Sequence, residues 1–160
     1  MMDKEKTSVL LICMGNICRS PTAEGVLRDK LEAAGLRDRV HLDSAGTHDY
    51  HVGKPPDGRA QEAARNRGYD LSTLRARQVN SRDFAEFDLI LAMDQDNYGL
   101  LLNRCPESDR HKVRLFLSFS RQYADQEVPD PYYGGSQGFD HVLDMVEDAA
   151  EGVIAAIRGN

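Results

Sequence analysis

Two of the chain's three cysteines, Cys13 and Cys18, stand five residues apart, and Arg19 follows the second directly. They lie in Val9-Leu10-Leu11-Ile12-Cys13-Met14-Gly15-Asn16-Ile17-Cys18-Arg19-Ser20-Pro21, where an apolar run passes through a short turn into a helix start. A loop entering a helix N-terminus points several backbone N–H groups one way, and the helix dipole adds partial positive charge, so such a turn binds a tetrahedral oxyanion. Arg19 can grip two of the anion's oxygens with its planar fork. Cys13 sits at the base of this cradle, where the field that holds a phosphate also favours thiolate over thiol. The residue types therefore predict a nucleophilic sulfur beside an anion site. The Cys-x5-Arg spacing alone is weak evidence, and its weight comes from the strand-to-helix context. Neither Cys18, six residues before Glu24, nor Cys105, six before His111, repeats it.

The elements that must position these residues are legible from hydrophobic pattern and punctuation. Val9 to Cys13 reads as a short buried strand, with Ser20 as N-cap and Pro21 opening a helix that closes at Gly35. Arg39 to Asp43 reads as a second strand, and Asp57 caps a helix ending at Gly68. Leu89 to Met93 is a third strand with Asp94 as the next helix cap, and Val113 to Leu117 is a fourth. A last helix carries Phe139, Val142, Val146, Ala149, Val153, Ile154 and Ile157 at helical spacing. Strands alternating with helices imply an α/β fold with a parallel sheet covered on both faces, whose ligands bind beyond the carboxyl ends of the strands. Those ends carry Cys13, Ser44 and Asp94.

Length and composition set outer bounds. A chain of 160 residues, 41% hydrophobic and 29% charged, fits one soluble domain spanning 1–160. The net charge of −6 argues against a nucleic-acid partner. The apolar run Val9 to Met14 is too short to span a bilayer, so no membrane partner is expected. The start Met1-Met2-Asp3-Lys4-Glu5-Lys6 lacks a secretory pattern, which predicts a cytoplasmic location with free thiols. The five histidines, at 41, 48, 51, 111 and 141, lack metal-ligand spacing and are expected at the surface, and neither metal nor cofactor is expected.

The chain resembles the low-molecular-weight protein tyrosine phosphatases, bacterial members included, over nearly its whole length. The resemblance is carried by CMGNICRSPTAE at Cys13 to Glu24, DSAGT at Asp43 to Thr47, RARQV at Arg75 to Val79, Met93-Asp94, and DPYYG at Asp130 to Gly134. It implies a flavodoxin-like, three-layer fold with a four-stranded parallel sheet, and a metal-free, cytoplasmic phosphatase of phosphotyrosine proteins that also binds phosphate and other oxyanions. Carried over by position, Cys13 is the nucleophile that forms a phosphocysteine, Arg19 holds the phosphate, and Asp130 is the general acid and then the base. Met14, Gly15, Asn16, Ile17, Cys18 and Ser20 make the phosphate-binding loop, and Asn16, Ser20 and Ser44 hold its shape. Tyr50, Tyr132 and Tyr133, with Met14 and Ile17, fall at pocket-wall positions. Cys18 matches a cysteine that bridges reversibly to the nucleophile under oxidant. One departure stands out: many relatives carry a histidine shortly before the ARQ segment, and this chain reads Ser72-Thr73-Leu74-Arg75 there. The loop-holding network is therefore expected to be altered.

Each residue also has a plainer reading. A cysteine at a strand end ordinarily packs a core, an Asp-Pro pair ordinarily starts a turn, and the paired tyrosines could be surface filling or phosphorylation sites. Rival activities are a protein arginine phosphatase, which would carry threonine where Ile17 stands, an arsenate reductase, which would need two further cysteines, and a non-catalytic phosphate binder, which would have no use for Cys13 and Asp130 together.

Overall fold

The computed structural model describes residues 6–131 and 136–159. Tyr132 and Tyr133 lie outside them. The first strand, β1 (Thr7–Cys13), is the centre of a parallel sheet in which β2 (Val40–Gly46) lies on one side and β3 (Leu89–Ala92), then β4 (Val113–Leu115), on the other. Both faces of β1 are covered, which is why Val9 to Ile12 is an unbroken apolar run with every residue fully buried. Val9, Leu11 and Cys13 face α1 (Arg19–Ala33) and α5 (Ser136–Arg158). Leu10 and Ile12 face the other layer, built on α3 (Ser81–Glu86) and α4 (Gln95–Arg104), with Phe84, Phe87 and Leu101. The remaining helix, α2 (Gly58–Asn66), packs beside α5 and α1. This is the expected three-layer α/β arrangement.

Several element bounds differ from the sequence reading, each for a local reason. Helix α1 begins at Arg19, with Cys18 at its cap position and no side chain capping it. The Ser20 hydroxyl, expected as the cap, is taken by Cys13 instead, 3.0 Å away. Strand β2 runs on to Gly46 because its pairing with β1 continues to the Cys13–Gly46 register. Strand β4 stops at Leu115, and Phe116–Phe119 turns as a 3-10 helix that buries Phe116 and Leu117 in the core. Helix α3 was not anticipated, although Asn80 and Asp83 carry its signature: Asn80 accepts from the Arg82 N–H while Asp83 accepts from the Asn80 N–H.

The packing of α5 on the Phe116–Phe119 turn leaves no room at Gly152. A Cβ added there would stand 1.8 Å from the Phe119 carbonyl oxygen. Gly152→Ala is expected to cost about 1–3 kcal/mol, measured by urea denaturation, and an unchanged midpoint would contradict this contact.

Candidate active site

The carboxyl ends of β1, β2 and β3 converge on the loop between β1 and α1, and backbone bonds fix that loop in place. The Thr47 N–H donates to the Cys13 carbonyl and the His48 N–H to the Met14 carbonyl, each at 3.0 Å, while the Asp57 N–H donates to the Ile17 carbonyl at 2.8 Å. Gly46 permits the close approach, since a Cβ there would lie 2.7 Å from the Met14 oxygen. Asn16 takes a left-handed conformation, φ 59°, which asparagine tolerates better than most residues. Turned this way, its N–H reaches the Cys13 sulfur at 3.3 Å.

Three polar groups thus surround Cys13 Sγ: the Asn16 N–H and the Ser20 N–H, at 3.4 Å, donate to it, and the Ser20 hydroxyl lies within hydrogen-bond distance at 3.0 Å. The Asn16 side chain ties them together. Its Nδ2 donates to Ser20 Oγ at 2.8 Å and to Ser44 Oγ at 3.0 Å, and its Oδ1 accepts from the Arg77 N–H at 3.0 Å. Donors converging on a sulfur that is 2% exposed stabilise negative charge where water cannot.

Arg19, also buried, supplies the compensating cation. Its Nη1 donates to Asp94 Oδ2 at 2.6 Å and to the Val128 carbonyl at 3.1 Å, which uses that nitrogen's two hydrogens. The Nε and Nη2 edge is left facing away from these partners, with Asp130 4.0 Å from Nη2. Burial works to lower the Arg19 pKa, but the negative charge at Cys13 and the bond to Asp94 outweigh it, and the net direction is upward. Asp94 is itself held, because its Oδ1 accepts from both the backbone and side-chain N–H groups of Asn97, whose Oδ1 accepts from Thr47.

Met14, Tyr50 and Val52 are the exposed large hydrophobic residues among the described ones, and two of them, Met14 and Tyr50, were expected at the pocket wall. Tyr50 stacks on His48 at 5.1 Å, and His51 covers Gly15, its ring 3.0 Å from where a Cβ would sit. Both histidines are half-buried rather than free at the surface. Ile17 is half-buried beside Cys18, which packs against Ala60 and Phe139. Burial, reinforced by Asp57, pushes the Cys18 thiol up to about 12, so Cys18 stays protonated. Among the described residues no group of three or more His, Cys, Asp or Glu is arranged to hold a metal. The cavity of about 540 Å³ at the opposite end of the sheet, lined by Thr7, Arg39, Asp88, Leu89, Arg114 and Ile157 among others, includes none of Cys13, Arg19, Asp94 and Asp130.

Sequence reading assigned no site role to Glu24, Arg77 or the Thr47–Asn97 pair, and placed Asp94 at a ligand-facing strand end as a helix cap without pairing it to Arg19. Ser44 Oγ donates to Glu24 Oε1 at 2.6 Å. Arg77 spans Asp43 and Asp83, which holds its backbone against Asn16. The network therefore closes through Glu24 and the Arg77 backbone, with Ser72 to Arg75 contributing no side chain to it. No sequence signal marked Glu24 beyond its place in the CMGNICRSPTAE run, because a helix glutamate ordinarily faces solvent.

A family model described as "Low molecular weight phosphotyrosine protein phosphatase" matches residues 8–160. A putative low molecular weight protein-tyrosine-phosphatase of Synechocystis is 48% identical over 150 residues, covering 93% of this chain and 95% of that one. The human low molecular weight phosphotyrosine protein phosphatase is 38% identical, covering 89% and 90%. A crystal structure of protein tyrosine phosphatase from Entamoeba histolytica superimposes with a TM-score of 0.93 at 43% identity, covering 96% and 98%.

Burial raises the Glu24 pKa above its ordinary 4.5, against the opposing bond from Ser44. A raised carboxyl pKa means that the folded state binds the proton more tightly, so the charged form costs stability at neutral pH and the cost disappears below the unfolded pKa. Glu24→Gln is therefore expected to raise Tm at neutral pH, with the gain shrinking as pH falls toward about 4. A gain that grows in acid would contradict the assignment.

Proposed function

Since the chain belongs to the low molecular weight phosphotyrosine protein phosphatases, we propose that it hydrolyses phosphotyrosine in proteins through a phosphocysteine on Cys13. The observation that carries this reading is the convergence of the Asn16 and Ser20 N–H groups and the Ser20 hydroxyl on the Cys13 sulfur beside the buried Arg19 fork. Residues 1–160 act as one domain in this reading. Free Cys13, Cys18 and Cys105 suit a reducing compartment such as the cytoplasm. No helix among the described residues is long and apolar enough to cross a membrane.

The phosphate of the substrate occupies the cradle of loop amides from Met14 to Ser20, with two oxygens on the Nε and Nη2 edge of Arg19. Cys13 sulfur attacks phosphorus in line, the P–S bond forming as the bond to the tyrosine oxygen breaks. Asp130 delivers its proton to that leaving oxygen, and the Ser20 hydroxyl stays on the sulfur. Water then attacks phosphorus, Asp130 takes a proton from it, and the P–S bond breaks to release phosphate and restore the thiolate. The apolar edge of Ile17 and the exposed Met14 and Tyr50 side chains flank the bound ring.

Three outcomes test this reading. Asp130→Asn is expected to slow phosphotyrosine turnover by ~10²- to 10⁴-fold while slowing an aryl phosphate with a well-stabilised leaving group much less; equal losses would contradict the acid role. Peroxide is expected to oxidise Cys13 to a sulfenic acid, whose sulfur Cys18 then attacks, the Cys18 proton leaving with the sulfenic hydroxyl as water and the new disulfide being reversed by thiols, whereas Cys18→Ser should be lost irreversibly. Thiol rescue of both forms to the same level would remove the protective role from Cys18. Ile17 offers a flat apolar contact and no partner for the N–H groups of a phosphoguanidinium, so phosphoarginine peptides should react about ten- to a hundredfold less well than matched phosphotyrosine peptides. Ile17→Thr should narrow that ratio, and a wild-type preference for phosphoarginine in kcat/KM would overturn the substrate choice.

A further inference from the structure

We propose that Glu24 is a positioning residue for Cys13: as the acceptor at the far end of the Ser44–Asn16–Ser20 chain, it takes the Ser44 hydrogen, so that Asn16, oriented by the Arg77 N–H, can donate to both serines and leave the Ser20 hydroxyl aimed at the sulfur. The proposal rests on the reading of Cys13 as the nucleophile.

The direction follows from counting donors. The Arg77 N–H donates to Asn16 Oδ1, which orients the amide and leaves its two Nδ2 hydrogens for Ser20 Oγ and Ser44 Oγ. Both hydroxyls therefore accept from Asn16 and must place their own hydrogens elsewhere. Ser44, 5% exposed, places its hydrogen on Glu24 Oε1 at 2.6 Å. Ser20, fully buried, has Cys13 Sγ at 3.0 Å as its remaining acceptor, so the Ser20–Cys13 bond runs from hydroxyl to sulfur. Glu24 is the one member of the chain that, when ionised, has no hydrogen to give. If position 24 offers no acceptor, the Ser44 hydrogen is left buried and unpaired and competes with Asn16, whose left-handed backbone is held by the same amide.

The charged and titratable groups around this path are Asp43, Arg28 and Arg77 near Glu24, and Arg19, Cys18, Asp94 and Asp130 around the cysteine. Through space alone, the negative charge of Glu24 opposes a thiolate at Cys13, so removing it would favour the thiolate. Acting through Ser44 and Asn16, Glu24 favours the thiolate, and removing the acceptor would do the reverse. The two effects have opposite signs. A protonated Glu24 would, like glutamine, keep a carbonyl oxygen to accept from Ser44.

The test compares Glu24→Met and Glu24→Gln, which remove the same charge, while glutamine keeps an acceptor oxygen and methionine does not. The probe is iodoacetamide, with alkylation of Cys13 followed by fragment-ion mass spectrometry across mildly acidic to neutral pH. This readout needs no substrate, so it stands whether or not phosphotyrosine is turned over. Glu24→Met is expected to alkylate about tenfold more slowly than Glu24→Gln on the acid limb, the size of a lost hydrogen bond to a charged group, with Glu24→Gln recovering part of the wild-type rate. In a Ser44→Ala background, which breaks the chain one link later, the difference between the two should vanish. Equal rates for methionine and glutamine, or acceleration in both, would overturn the proposal, as would a difference that persists without the Ser44 hydroxyl. Where Glu24→Met does not fold, Glu24→Gln and Ser44→Ala carry the test: Ser44→Ala must slow alkylation, and Glu24→Gln must have no effect in its presence.

Discussion

A sulfur buried at the end of the central strand can hold negative charge only if nearby donors replace the water it has lost. Asn16 and Ser20 provide those donors, and Arg19 provides a buried cation beside them. Much of the surrounding architecture follows from this requirement. Asn16 adopts a left-handed backbone because its N–H must turn back to the sulfur, and Gly46 lacks a side chain because the loop carbonyls pass so close to it. Helix α1 begins without a side-chain cap, because the serine that would provide one faces the sulfur instead.

The same requirement explains why the site needs three strands and not one. Strand β2 brings Ser44 and Thr47 to the loop, and the end of β3 brings Asp94, which orders Arg19 through one oxygen and helix α4 through the other. An ion pair this buried is strongly destabilised by the loss of either partner. The geometry of the loop is therefore tied to the sheet register.

The parts most readable from sequence were those set by local chemistry. The unbroken apolar run of β1, the Asp57 and Asp94 caps, and the Cys13 to Ser20 turn all announce themselves within a few residues, and their positions in the fold agree with that reading. Long-range partners did not. Glu24 lies on a helix, where its burial depends on what β2 sets against it, and Arg77 acts through a backbone N–H that any residue type would supply. The early end of β4 at Leu115 was hidden too, since Phe116 and Leu117 serve a buried turn as well as they would a strand.

The central claim is that phosphate passes through the Cys13 sulfur. Its most direct test is rapid chemical quench of the Asp130→Asn protein turning over an aryl phosphate with a good leaving group, followed by mass spectrometry of the peptide that spans Cys13. With base catalysis of hydrolysis impaired, a phosphoryl group should accumulate on Cys13 in amounts approaching one per chain within the first turnover, and Cys13→Ser should show neither that adduct nor turnover. Turnover with Cys13 unmodified at every quench time, or continued turnover by Cys13→Ser, would contradict the account.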